Sequence, residues 1–336
     1  MRVARAIMAV ALLGLLTPAS LAAQELNRVL QNYLHCYVVD GWVTFEGTRL
    51  ASVGPIFDGT RREVGAETLH VRNENGQCVF AYERRGNEDQ LTIDVRISTD
   101  RSVRQVLLRR TPRAASAVVP VEFKQVANEK ITLTLGSGTG QQVFSARNLW
   151  QLLITQPKEC QQHLLPMLEV LRPSWNLADT TTRVEQKLLQ EANGDGAVNR
   201  VRWAALVVQL GDESFTKREA ADRALRTGNA GAIAYLRQLD LSRLDTEQQF
   251  RVGRILDVMA AQNGDDSVEQ AAAALAVNRT TWLGLLARPD PSTRQTAARE
   301  LTRLLGQPIP VNPAADPDSQ KGLREQLRAK IGEKEN

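Results

Sequence analysis

Three cysteines and three histidines set the limits of what this 336-residue chain can do with its own side chains. Cys160-Gln-Gln-His163 has the spacing that puts a thiolate and an imidazole on one helical face, and His35-Cys36 would complete a set of four ligands. A structural zinc site announces itself through paired ligands in two clusters, and so few Cys and His leave little to build one from. Cys160 also shares an apolar stripe with Leu164 and Leu168, where a lone Cys acts as a small core residue. That reading is adopted, and no metal or cofactor is assigned. Gly136-Ser-Gly-Thr-Gly140 lacks both Gly-Lys-Ser/Thr and Gly-x-Gly-x-x-Gly, so it reads as a hairpin loop and not a phosphate cradle. There is no Gly-x-Ser-x-Gly elbow, and His35, His70 and His163 have no local catalytic partner. Asn193-Gly-Asp-Gly196 is too short and too poor in carboxylates for an EF-hand loop, and is a helix-helix turn. The five tryptophans, scattered among different elements, suggest separate packing anchors.

The elements that would position these residues fall into two kinds. The N-terminal part is strand-like. Asp40-Gly41 between the apolar runs of Tyr37 to Phe45 has the residue preference of a two-residue hairpin, and Asn75-Gly76 predicts a second. Leu91, Ile93, Val95 and Ile97 alternate with polar residues, as do Val119/Val121/Phe123 and Ile131/Leu133/Leu135. Short turn-like connections favour an antiparallel sheet or small sandwich. From Ser145, expected to cap a helix with Leu149, Trp150, Leu152 and Leu153, the pattern becomes helical to about Leu305. Four prolines between Pro308 and Pro317 then make a stiff linker, and Leu323, Leu327 and Ile331 offer one thin stripe for a last helix to dock.

Arg2 and Arg5, the apolar run from Ala6 to Leu16 and the small residues Ser20, Ala22 and Ala23 read as a secretory signal peptide. No later stretch is long and apolar enough to predict a membrane span. Export permits oxidation, so Cys36 and Cys78, both in strand-like segments, are the expected disulfide, with Cys160 as the alternative partner of Cys36. The net charge of +4 falls to about +2 once the leader is removed. Between Glu25 and Ser145, 15 Lys plus Arg face 14 Asp plus Glu, which argues against nucleic acid as a partner. The expected organisation is α+β: leader 1–23, β-rich domain 24–145, helical connecting segment 146–195, helical repeats 196–306, and linker with C-terminal helix 307–336.

The repeat expectation rests on an echo. Arg218-Glu-Ala-Ala221-Asp-Arg-Ala-Leu225 aligns with Arg294-Gln-Thr-Ala297-Ala-Arg-Glu-Leu301 at a separation of 76 residues, two periods of 38. Known HEAT and armadillo units run about 40 to 47 residues. With Phe215, Ala234 and Leu236 around the first copy, these segments resemble the HEAT-like repeats of exported bacterial proteins, in which a helix carries an Arg-x-x-Ala-x-x-x-Leu core. Arg218, Ala221, Leu225, Arg294, Ala297 and Leu301 match it. Leu244 to Met259 departs from it, and the resemblance covers about a third of the chain. It implies an α-solenoid with a scaffolding role toward a protein partner, and transfers no catalytic residue. The competing expectation is an enzyme or enzyme subunit with a site in the β domain or at its junction with the helices, where Cys160, His163 and His35 are the candidates.

Overall fold

The computed structural model describes residues 35–46, 60–64, 66–98, 102–113, 116–194, 196–227, 230–237, 239–260 and 264–335. The expected leader lies outside them.

Eight strands form one antiparallel meander: β3 (Thr60–Val64), β4 (Glu67–Glu74), β5 (Gln77–Arg85), β6 (Asp89–Ile97), β7 (Val103–Pro112), β8 (Val121–Val126), β9 (Ile131–Leu135) and β10 (Gln142–Ala146). β1 (His35–Val39) and β2 (Trp42–Glu46) make a separate hairpin. Both turns foreseen from Asp-Gly and Asn-Gly are present, with positive φ at Asp40, Gly41, Asn75 and Gly76. Period-2 alternation carries the apolar residues to one face: Tyr82 lies opposite Ile93, Ile93 opposite Leu108, Leu108 opposite Phe123, and Phe123 opposite Leu133. All five are buried, and each such side chain contributes about 1.5 to 3 kcal/mol relative to exposure. The β1–β2 hairpin packs on the sheet through a side chain that imitates a strand: buried Gln125 accepts the Val43 amide at 3.0 Å and donates to the Val43 carbonyl at 2.8 Å.

Helix α1 (Leu149–Thr155) starts at Asn148, whose side chain accepts the Gln151 amide; Ser145, the expected cap, lies inside β10. α2 runs from Pro157 to Leu171, with a π turn at Cys160–Leu164. Pro166 follows that turn and has no N–H to give the helix ladder, which accounts for the widened turn ahead of it. α3 is Leu177–Asn193.

Four helices come next: α4 (Gly196–Gln209), α5 (Phe215–Arg226), α6 (Ala230–Arg237) and α7 (Thr246–Ala260). They share a small core of Val207, Leu210, Ala221, Leu225, Ile233, Leu236, Val252 and Ile255. α8 (Val268–Ala276) then packs on α3 and α6, α9 (Arg279–Leu285) on α1 and α10 (Pro291–Leu305), and α11 (Lys321–Glu335) on α9. α11 docks through Leu327 and Ile331, both buried, as its stripe predicts.

The apolar clusters therefore cut across the segment boundaries drawn from sequence. The sheet, α1 to α3 and α8 to α11 share one core, while α4 to α7 form a lobe inserted between α3 and α8. A helical stripe shows that a face is buried, but not which element covers it. Two parts, an antiparallel β region followed by helices, are as expected.

Candidate interaction surface

The residues singled out for chemistry are not assembled. The His35 ring stacks on Tyr37 with centroids 6.5 Å apart. The Cys160 thiol is buried and donates to the Leu152 carbonyl at 3.6 Å, and burial pushes its pKa well up. Arg110 approaches His163 Nδ1 to 3.0 Å, and burial with that neighbouring cation lowers the imidazole pKa. Among the described residues no group of three His, Cys, Asp or Glu side chains could hold a metal ion. All three cysteines are free thiols, so the bridge expected between Cys36 and Cys78 is not made. Cys36 belongs to the hairpin and Cys78 to the large sheet. Strand-like sequence around both residues gave no information on whether the two strands are neighbours.

At the junction of sheet and helices stands a pair that the sequence reading passed over, Asp265-Asp266. Asp265 accepts the Val38 amide at 2.9 Å, the Trp175 indole N–H at 3.3 Å and Arg172 at 2.7 Å. Asp266 accepts the Asp40 and Gly41 amides at 2.8 and 2.7 Å and the Trp150 indole N–H at 2.8 Å, while its own amide donates to the Val38 carbonyl at 2.7 Å. These two carboxylates fasten the β1–β2 hairpin to α1, the turn after α2 and the start of α8. Burial raises the Asp266 pKa; the hydrogen bonds and Arg237 oppose that rise. Arg172 reinforces the clasp by donating to the Cys36 carbonyl and lying 5.8 Å from the Tyr37 ring and 5.5 Å from that of Trp175. Gly41 is required twice over: its φ is positive, and a Cβ there would meet Asn148 at 2.7 Å. The available signal was the acidic pair immediately before the capping box Ser267-x-x-Gln270. A cavity of about 280 Å³ lies beside the clasp, lined by Trp150, Trp175, Arg183 and Asp265 among others.

The two echo helices behave alike. Arg218 Nη1 donates to the carbonyls of Asp212 and Glu213 at 2.8 and 2.9 Å; Arg294 Nη1 donates to those of Arg288 and Pro289 at 2.8 and 2.5 Å. In each case the guanidinium folds back on the residues six and five before it, tying the incoming loop to the helix. Ala221, Leu225, Ala297 and Leu301 are all fully buried.

Much of the charge on the lobe is paired within the chain. Asp222, on α5 and buried, pairs with Arg226 and with Arg251 and Arg254 of α7. Arg251 also bonds Glu219 and Glu247. Arg237 pairs with Asp40 of the hairpin, and Arg243 with Asp240. The lobe also exposes large apolar side chains. Val201 and Val208, two turns apart on α4, are 72% and 69% exposed; Phe215 and Phe250 are both 64% exposed. Gln248 donates to the Val207 carbonyl at 3.0 Å and Arg218 lies within 3.4 Å of Glu247, so the end of α4 and the starts of α5 and α7 meet. Val208, Phe215 and Phe250 thus occur at one end of the lobe. Among the described residues no helix is long and apolar enough to cross a membrane. No protein-family model matches the chain, and neither a curated protein nor a solved structure matches it at a significant level.

Proposed function

We infer that this is an exported, non-catalytic protein whose helical lobe recognises a protein partner, in the manner of a HEAT-like α-solenoid. The observation that carries the reading is the exposed apolar set Val208, Phe215 and Phe250 at the meeting of α4, α5 and α7, with Val201 further along α4. Large apolar side chains left in water next to one another mark interaction sites more often than single ones do. The equivalent fold-back of Arg218 and Arg294, with Ala and Leu buried in step, supports a repeated helical unit. The apparent leader and its Ala23 cleavage position support delivery to the periplasm or beyond. Nucleic acid is not the proposed partner, since the charge of the chain is close to balanced.

The alternative, an enzyme or enzyme subunit working at the junction, draws on the cavity beside Asp265 and Asp266. Those carboxylates are already engaged by hairpin amides, indoles and Arg172, which suits a fastening better than a general base.

The test is site-specific photo-crosslinking in the native envelope, with the reactive group placed at Val208 or Phe250 and, as a control, at exposed Lys158 on α2. Adducts of one defined partner from the lobe positions alone are expected. Equal labelling from Lys158 would overturn the assignment. Fractionation and N-terminal sequencing check export, with processing after Ala23 expected.

A further inference from the structure

A second open feature lies where the large sheet ends. β10 pairs with β9 on one side and with no described strand on the other. An edge strand presents unpaired main-chain amides and carbonyls and invites another strand. Along this edge runs a cavity of about 490 Å³, walled by Val143, Phe144 and Ser145 of β10, Leu283 of α9 and Ile331 of α11. Val143 stands 59% exposed in it. The rim is basic: Lys130 from the turn before β9 and Lys321, Arg324 and Arg328 from α11 face it, against one acid, Glu325. Lys130, Lys321 and Arg328 are exposed and make no ion pair with a described residue, whereas Arg324 donates to the Pro317 carbonyl. The net charge of the protein is nearly balanced, so this concentration of unpaired cations is local.

We propose that this groove binds an acidic, extended peptide that adds to the sheet as a ninth strand beside β10. The chemistry follows from two features that occur together. Main-chain pairing to an open edge supplies affinity that does not depend on side chains, and alternate side chains of the added strand fall on one face. Carboxylates at every second position would then reach the Lys130, Lys321 and Arg328 side chains, while the intervening apolar residues, on the other face of the added strand, meet exposed Val143. A nucleic acid strand fits less well. Phe144 is the only aromatic residue in the lining, which leaves no row of rings for bases to stack on, and Glu325 opposes a uniformly charged backbone. The groove lies on α9, α11 and the sheet, apart from the α4, α5 and α7 surface, so this site stands or falls independently of the proposed function.

The experiment is fluorescence anisotropy on the full mature chain with a fluorescein-labelled octapeptide, Glu-Val-Glu-Thr-Glu-Val-Glu-Thr. Saturable binding is expected, weakened about tenfold or more by Lys321→Glu with Arg328→Glu, since reversing charges at a recognition rim turns attraction into repulsion. Lys321→Gln with Arg328→Gln, read beside its melting temperature, guards against misfolding and should weaken binding less, with no change in melting. A peptide N-methylated on alternate residues keeps its charge but cannot pair on that edge, and it should lose binding. Equal affinity for the N-methylated peptide, or for the Lys-for-Glu version, would overturn strand addition. So would tighter binding of a single-stranded oligonucleotide with the same dependence on Lys321 and Arg328. Val208→Asp should leave peptide affinity unchanged.

Discussion

Helices α5 and α10 carry the same Arg-x-x-Ala-x-x-x-Leu pattern and fold it locally in the same way, yet they belong to different cores. In α10, Arg294 is buried and adds bonds to the carbonyls of Pro313 at 2.8 Å and Ala315 at 3.1 Å, so the loop after the helix is held as well as the loop before it. In α5, Arg218 reaches past the incoming loop only to Glu247 of α7, 3.4 Å away, and its guanidinium lies 5.7 Å from the exposed Phe215 ring. The local fold-back is a property of the segment. How much the arginine then holds depends on what the rest of the chain brings to it. α10 joins a core shared with the sheet, whereas α5 joins an eight-residue cluster of four helices. A small core stabilises less, and regions with few buried contacts open first.

The sharpest way to break this comparison is a pair of truncations. Trp282, fully buried in α9 and bonded to the Ala276 carbonyl, should cost about 3 to 5 kcal/mol as Trp282→Ala and lower the global melt. Leu225→Ala, which removes about 2 to 5 kcal/mol, should instead release hydrogen-exchange protection across residues 196–260 while α8 to α10 keep theirs. Loss of protection throughout the chain would mean that lobe and main core unfold as one unit.

Asp266→Asn tests the clasp beneath the lobe. An amide cannot accept from all three donors, so either Asp40 or both Gly41 and Trp150 are left facing a donor, at about 1 to 3 kcal/mol. The pH dependence has a definite sign. Burial raises the Asp266 pKa above its unfolded value of about 3.9, so the folded chain binds this proton more tightly than the unfolded one. That contribution is present below the unfolded pKa and is lost as pH rises through the folded one. Paired urea melts should show the wild-type margin over Asp266→Asn narrowing upward from about pH 4. A widening margin would show that Arg237 and the hydrogen bonds outweigh desolvation.

Ala221→Leu and Ala297→Leu should each cost about 1 to 3 kcal/mol by overpacking, and the two melts together ask whether the register is shared. An unchanged melt for either would separate the two helices. The smallest contrast is between Arg294→Gln, expected to cost about 1 to 2 kcal/mol, and Arg218→Gln, expected to cost about half of that. Equal losses would mean that the bonds to Pro313 and Ala315 add nothing to the shared fold-back.

What the sequence determined by itself was local. Asp40-Gly41 and Asn75-Gly76 specify their turns because few other residues accept positive φ, and alternation from Leu91 to Ile97 specifies a half-buried strand because successive side chains point to opposite faces. The stripe of Leu327 and Ile331 and the burial of Ala221, Leu225, Ala297 and Leu301 follow from helical spacing, which brings residues three and four apart onto one face. Only the tertiary structure decided who meets whom. It left Cys36 and Cys78 as free thiols, placed α8 against α3 across an inserted lobe, and set Asp265 and Asp266 against a hairpin more than 220 residues away in the chain. Periodicity records that a face is covered, and a carboxylate in a loop looks the same whether it meets water or two indoles. Pairing over such distances depends on chain topology, which no local pattern encodes.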